Sequence, residues 1–236
     1  MLSQGKDLSK KLLKYHRIPA PSFAVFPIGR KVKRPSRLDF PLIVKSVSED
    51  SSFGISQASV VENDEKLAER VAFIHDHTAT AAIAEQYIDG REIYVGVIGN
   101  MDRYRVFPVW ELEFTDLAPG ALPIATEHAK HNIEYQKRRG LLQGPAENLS
   151  PAVETKIRDM VKRICRILEL DGYARIDFRL SHDGTPYFIE ANPNPEIASS
   201  EELAQSALFD GLEYPDLLNR IMALGIRRAG ATDVED

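Results

Sequence analysis

Two acidic residues near the end of the chain, Asp177 and Glu190, have the spacing of opposite residues in a β-hairpin. Between them stands Asp183-Gly184, which favours a two-residue type I′ turn, where both central residues take positive φ. A turn centred on that pair places Asp177 opposite Glu190 and Arg175 opposite Asn192, all on one polar face. The other face is then apolar and pairs Ile176 with Ala191, Phe178 with Ile189 and Leu180 with Tyr187.

Such an opposed pair of carboxylates is costly unless a cation lies beside it. Opposite side chains in a hairpin are about 4.5–5.5 Å apart at Cβ, and two like charges there repel by roughly 3 kcal/mol at an effective dielectric near 20. Together with the amide oxygen of Asn192, the pair forms an all-oxygen site suited to Mg²⁺ or Mn²⁺. The alternative is a solvated strand face on which Arg175 and Arg179 neutralise the acids.

The bulk composition is that of an ordinary globular protein of 236 residues, enough for one large domain or two small ones. A net charge of −5 argues against binding nucleic acids or membranes through bulk charge. The single cysteine, Cys165, excludes an intrachain disulfide and is typical of a reducing compartment. Because no 18-residue apolar stretch or signal-peptide core is present, we expect a cytoplasmic protein with no membrane and no nucleic-acid partner.

Periodicity and turn residues predict strands and helices that are interspersed, with frequent hairpins. This pattern indicates an α+β fold rather than a doubly wound parallel sheet. The polar stretch 115–149 lacks strong periodicity and predicts a functional loop. The predicted helices are 6–15, 64–75, 151–168, 200–209 and 215–227, and the predicted strands before the hairpin are 22–26, 42–47, 55–61, 82–88, 92–98 and 104–114.

A lysine within an apolar strand, Lys45, indicates that the chain handles phosphate, although no glycine-rich phosphate loop motif is present. An isolated lysine on such a strand needs water or an anion. The small residues Ser51-Ser52-Phe53-Gly54 follow, and their backbone N–H groups could approach phosphate oxygens closely. Exposure of Lys45 at the surface explains its position equally well. Glu85 and Glu92 flank a hairpin mouth, where a carboxylate either accepts from ribose hydroxyls or is an exposed turn residue.

Taken in order over about residues 4–225, these segments resemble the ATP-grasp superfamily, most closely its D-alanine–D-alanine ligase-like branch. The resemblance implies the ATP-grasp fold, with two α+β subdomains and the nucleotide between them. It implies a smaller subdomain at 1–90 and a larger one at 91–228. The terminal position of 229–236 predicts a disordered tail. The matching segments are Gly5-Lys6, Ile18-Pro19-Ala20-Pro21, Ile43-Val44-Lys45, Ser51-Ser52-Phe53-Gly54, Ala84-Glu85-Gln86-Tyr87-Ile88, Gly90-Arg91-Glu92, Ala129-Lys130, Gly172-Tyr173-Ala174-Arg175-Ile176-Asp177 and Glu190-Ala191-Asn192-Pro193.

The resemblance also implies ATP as cofactor, with two Mg²⁺ or Mn²⁺ ions, and a role for each matched residue. Lys45 and Arg175 are the implied catalytic residues. Lys45 would bind the phosphates, and Arg175 would stabilise the charge on the transferring phosphoryl group. The other implied roles are nucleotide contacts for Lys6 and Lys130, a closing loop for Ser51, Ser52, Phe53 and Gly54, adenine recognition for Glu85, Tyr87 and Ile88, ribose binding for Glu92, and metal binding for Asp177, Glu190 and Asn192.

The implied reaction joins a carboxylate to an amine. A small-molecule carboxylate, on an amino acid or peptide, attacks the γ-phosphate to give an acylphosphate, which an amine then attacks. The turn after the metal asparagine departs from the family's Pro-Gly-Met type, so the sequence does not predict D-alanine as the acceptor. The candidate acceptor residues are Asn194, Glu196, Ser199 and Ser200.

A second departure concerns the family's usual N-terminal domain, which the chain lacks. The sequence is therefore expected to be a fragment, to receive that domain from a partner chain, or to work without it. The alternative hypothesis is a catalytically incomplete nucleotide-binding module that needs such a partner. A third hypothesis, anion binding by the basic run 30–37, conflicts with the acidic net charge.

Overall fold

Two antiparallel sheets, one of four strands and one of six, form the framework of the described part of the chain. A computed structural model describes residues 2–3, 5–48, 55–101, 103–117, 119–125 and 140–232. The helices are α1 (Lys6–Tyr15), α2 (Asp64–Thr78), α3 (Pro151–Ile167), α4 (Glu202–Phe209) and α5 (Tyr214–Thr232), with a 3-10 helix at Gln57–Ser59. The strands are β1 (Phe23–Phe26), β2 (Leu42–Ser46), β3 (Val60–Val61), β4 (Ala82–Gln86), β5 (Gly90–Asn100), β6 (Arg103–Val106), β7 (Trp110–Phe114), β8 (Leu141–Pro145), β9 (Gly172–Ser181) and β10 (Pro186–Asn192).

The smaller sheet has the order β1-β4-β2-β3, and helix α2 packs on one face of it. The Asn63 side chain caps α2 by accepting from Lys66 N, as its sequence position predicts. The strand predicted at 55–61 is wrong except for its last two residues. Ser56 and Ser59 bond to each other's backbone N–H groups, which turns the chain into the 3-10 helix before β3 begins.

The larger sheet has the order β10-β9-β5-β7-β8, with β6 also paired to β5. Helix α3 begins at Pro151 after the Ser150 cap and buries Ile157, Val161 and Ile164 against the sheet. The strand predicted at 104–114 is two strands, β6 and β7. Pro108 lies between the two strands, and because proline has no backbone N–H it could not donate a hydrogen bond to a neighbouring strand. No helix in the described ranges has both the length and the apolar character needed to cross a membrane.

The hairpin of β9 and β10 pairs Asp177 with Glu190 and Arg175 with Asn192, as predicted, but it does so by another route. The predicted type I′ turn is wrong: Gly184 has a positive φ of 78° and Asp183 does not. The loop has three residues, 182–184, instead of the predicted two. Next to the loop, the pairing is therefore displaced by one residue from the predicted pairing. A bulge at Ile189 shifts the register back. Ile176 therefore pairs with Ala191 as predicted, whereas Phe178 pairs with Phe188 and Leu180 with Pro186.

The two ends of the chain differ from the sequence-based division. Helix α1 falls within the proposed smaller subdomain 1–90, yet Leu13 and Ile18 belong to the core of the larger sheet. Residues 229–232, assigned to a disordered tail, lie in helix α5, and 233–236 are outside the described residues.

We expect Gly96→Val to destabilise the fold, because helix α4 crosses β5 at this glycine. A Cβ atom there would lie 2.7 Å from Leu203 Cδ1 and 3.0 Å from Phe107 Cδ2. Overpacking of this kind costs about 1–3 kcal/mol in the free energy of unfolding, which urea titration measures. Gly144→Val in β8 is the control, since nothing lies within 4 Å of its Cβ position. Equal stability of the two variants would contradict the close packing.

Candidate functional site

A cleft between the two sheets brings together most of the predicted site residues that lie in the described part of the chain. It encloses about 840 Å³ of space, part of it open to solvent. The segment 87–89 joins β4 of one sheet to β5 of the other and forms one wall. Eight residues proposed from the sequence line this cleft: Lys6, Lys45, Glu85, Tyr87, Ile88, Glu92, Asp177 and Glu190.

At the floor of the cleft, the buried carboxylate of Glu85 lies between two buried lysines. Lys45 Nζ is 3.1 Å from Oε2, and Lys10 Nζ is 3.3 Å from Oε1. Burial acts to raise the pKa of Glu85, but the two ammonium groups outweigh it and lower that pKa. Burial lowers the pKa of Lys10 to about 8 despite the attraction of Glu85. Both surface interpretations, for Lys45 and for Glu85, are therefore wrong.

Sequence reasoning missed Lys10, which is 0% exposed and also donates to the backbone carbonyl of Ile189 on β10. The buried residues of α1 are Lys6, Ser9, Lys10 and Leu13, at helical spacing. That spacing was readable from the sequence. It does not by itself predict a buried lysine, because the burial of Lys10 depends on Glu85, which is distant in the sequence.

The two facing carboxylates already have cationic partners in the protein. Asp177 accepts from Arg175 Nε at 2.8 Å and Nη2 at 2.9 Å, in a bidentate pair. Glu190 Oε2 is 3.4 Å from Lys6 Nζ. Of the two arginines proposed as neutralising partners, Arg175 fills that role for Asp177, whereas Arg179 bonds elsewhere.

The donor chemistry of this end of the cleft fits a divalent cation. Within the described residues, no group of three or more His, Cys, Asp and Glu side chains is arranged to hold a metal. A third donor would thus be the amide of Asn192, whose oxygen accepts from Asn194 N at 2.9 Å and keeps a second lone pair. Hard carboxylate and amide oxygens are the ligands that Mg²⁺ takes.

Arg179, missed as a site residue, holds the wall of the cleft together. Its guanidinium donates to Ile88 O at 3.1 Å and to Pro123 O at 2.8 Å. It also lies 3.4 Å from Glu92 Oε2 and 3.3 Å from the Tyr87 hydroxyl. One buried side chain thus fixes both the inter-sheet segment and the predicted ribose carboxylate.

The four candidate acceptor residues do not line the cleft. Asn194, Glu196, Ser199 and Ser200 are exposed, and Asn194 Oδ1 accepts from the Tyr173 hydroxyl. The residue of this region that reaches the site is Glu202, the first residue of α4, whose Oε2 is 3.4 Å from Arg175 Nη1. The predicted loop residues Ser51, Ser52, Phe53 and Gly54, and Lys130, lie outside the described residues.

Comparison with known proteins decides the family. The family model described as "D-ala D-ala ligase C-terminus" matches residues 12–223. The chain belongs to this family. The matched range includes all the strands described above for the two sheets.

Relatives and solved structures agree with this assignment. An uncharacterized protein of Sinorhizobium fredii, y4sG, is 31% identical over 96% of this chain and 64% of its own length. A D-alanine–D-alanine ligase of Desulfotalea psychrophila is 29% identical over 97% of this chain and 68% of its own length. The chain therefore spans about two thirds of the length of these two relatives.

The fold is that of the D-alanine–D-alanine ligases. The crystal structure of the Bacillus anthracis enzyme complexed with ATP superposes with a TM-score of 0.78 at 21% identity, covering 98% of this chain and 68% of that chain. The D-Ala:D-Ser ligase VanG of Enterococcus faecalis gives 0.72 at 22% identity, over 94% and 62% respectively. The predicted ATP-grasp, α+β fold is confirmed.

Because Lys10 is buried, we expect the free energy of unfolding to change with pH in the alkaline range. Its pKa is about 8 in the folded protein and near 10.5 unfolded, so the unfolded state binds more protons between these values and stability rises with pH there. Relative to Lys10→Met, the wild type should gain roughly 2 kcal/mol in unfolding free energy from pH 7 to 10, measured by denaturant titration.

Lys11→Met is the matched control, because Lys11 is exposed on the same helix and pairs with Asp7. The difference in unfolding free energy between Lys11→Met and the wild type should not change over the same range of pH. A flat difference for Lys10→Met as well would show that Lys10 is solvated rather than buried.

Proposed function

We propose that the protein is an ATP- and Mg²⁺-dependent carboxylate–amine ligase that acts through an acylphosphate on an amino acid or peptide. The observation that carries the proposal is the cleft itself, which is lined by the buried lysines Lys45 of the smaller sheet and Lys6 of α1 and by the facing carboxylates of the larger sheet. Membership of the ligase family and the ATP-bound state of the Bacillus anthracis neighbour support it.

In this proposal the nucleotide lies along the cleft with its base at the inter-sheet segment. Tyr87, Ile88 and Ile124, which line the cleft, would contact adenine, and Glu92 would accept from the ribose hydroxyls. The phosphates would meet Lys45 and Lys6. Lys10 and Lys45 share one carboxylate, so this floor keeps a positive charge for phosphate oxygens.

The carboxylate end of the cleft would carry the phosphoryl transfer. Asp177, Glu190 and Asn192 would hold Mg²⁺, which neutralises phosphate charge when it is bound. Arg175 would donate to the oxygens of the transferring phosphoryl group, held in place by Asp177 and Glu202. The exposed residues after β10, Asn194, Glu196, Ser199 and Ser200, are proposed to contact the amine substrate because they follow the strand that carries Glu190.

The test is ADP release from ATP and Mg²⁺ with a panel of amino acids and dipeptides. We expect release that depends on a carboxylate substrate and falls by at least about a hundredfold in Asp177→Asn and Glu190→Gln, because either change removes a charged ligand. Glu154→Gln on α3, outside the cleft, is the matched control and should retain wild-type activity.

Two other outcomes would count against the ligase. ATP binding without turnover on any substrate would favour the nucleotide-binding module instead. Failure to bind ATP at all would exclude both hypotheses.

A further inference from the structure

A buried tyrosine lies under the site, between the groups proposed for ribose and for phosphoryl transfer. Tyr94 is on the central strand β5 and is 1% exposed. In the ladder with β9, Glu92 pairs with Arg179, Tyr94 with Asp177, and Gly96 with Arg175. Side chains two apart on a strand share a face, so Tyr94 faces the same side as the proposed ribose and metal carboxylates.

The tyrosine hydroxyl fixes one oxygen of the proposed ribose carboxylate. It donates to Glu92 Oε1 at 2.7 Å, while Oε2 accepts from Ala125 N at 3.2 Å and lies 3.4 Å from Arg179 Nη1. Burial raises the pKa of Tyr94 well above its ordinary value, so the hydroxyl keeps its proton and remains a donor. A carboxylate offers about four acceptor positions, and three donors here determine where the remaining one points.

The ring of the same tyrosine supports the guanidinium at the other end. Arg175 Cζ lies 4.8 Å from the ring centroid, within the range of a cation–π contact. Asp177 binds this guanidinium from the side in a bidentate pair, and Glu202 lies 3.4 Å from Nη1. The hydroxyl and the ring face of one rigid side chain thus contact two functional groups.

We propose that Tyr94 is a positioning residue that aligns Glu92 with the ribose and Arg175 with the phosphates. This inference rests on the proposed function, because it assumes that ATP occupies the cleft. Tyr94→Phe removes the hydrogen bond to Glu92 and keeps the ring below Arg175. Tyr94→Leu removes both contacts.

The experiment is calorimetric titration of wild type and variants with ATP and with dideoxy-ATP, which lacks both ribose hydroxyls. We expect Tyr94→Phe to weaken ATP binding about tenfold, the value of one hydrogen bond to a charged group, and to leave dideoxy-ATP binding unchanged. A merely structural role would weaken both nucleotides alike. Tyr104→Phe is the matched control, since its hydroxyl donates to Leu170 O at 2.9 Å, outside the cleft, and its ATP affinity should equal that of the wild type.

Tyr94→Leu tests the contact with Arg175. Because it removes the ring, it should weaken dideoxy-ATP binding roughly threefold or more relative to Tyr94→Phe, and dideoxy-AMP binding less, since the shorter phosphate chain does not reach Arg175. Equal affinities of the two variants for dideoxy-ATP would overturn this half of the proposal.

The remaining outcomes separate the inference from the function on which it rests. If the wild type binds ATP more tightly than dideoxy-ATP and Tyr94→Phe keeps that preference in full, the positioning role is wrong while the nucleotide site stands. If the wild type binds neither nucleotide, the proposed function fails and the inference fails with it.

Discussion

The buried ion pairs around Glu85 are the interaction on which the rest of the structure depends. A carboxylate that is 1% exposed is tolerable only because Lys45 and Lys10 lie within 3.3 Å of it. These three residues come from β4, β2 and α1, and α1 packs on the other sheet. The electrostatic requirement of one side chain therefore joins the smaller sheet to the larger one across the cleft.

The cations and acids of the cleft are arranged so that a ligand would meet charges that already have protein partners. Lys6 pairs with Glu190, Arg175 with Asp177 and Arg179 with Glu92. If a polyphosphate and a metal ion bound here, their contacts would replace these ion pairs, because the charged side chains are already paired within the protein. Such exchange limits the gain in affinity, because each new contact replaces an existing one.

Much of the fold could be predicted from the sequence, and the failures have specific physical causes. Helix α2 and helix α3 lie where apolar periodicity predicts them, and the structure shows side-chain caps at Asn63 and Ser150. The prediction of a strand at 55–61 fails before Val60 because alternation cannot show that two serine side chains will bond to the backbone instead. The burial of Lys10 could not be predicted, because it requires an ion pair with a carboxylate 75 positions away in the chain.

The bulge at Ile189 links the length of the hairpin loop to the chemistry of the cleft. The three-residue loop displaces the register by one position and the bulge restores it, so the two irregularities cancel at Asp177 and Glu190. The bulged residue also presents its carbonyl to Lys10. During evolution, a deletion that kept a three-residue turn would therefore move Glu190 out of register with Asp177 unless the bulge was lost as well. Insertions and deletions in this hairpin should accordingly occur as compensating pairs, and the carbonyl contact with Lys10 would disfavour losing the bulge.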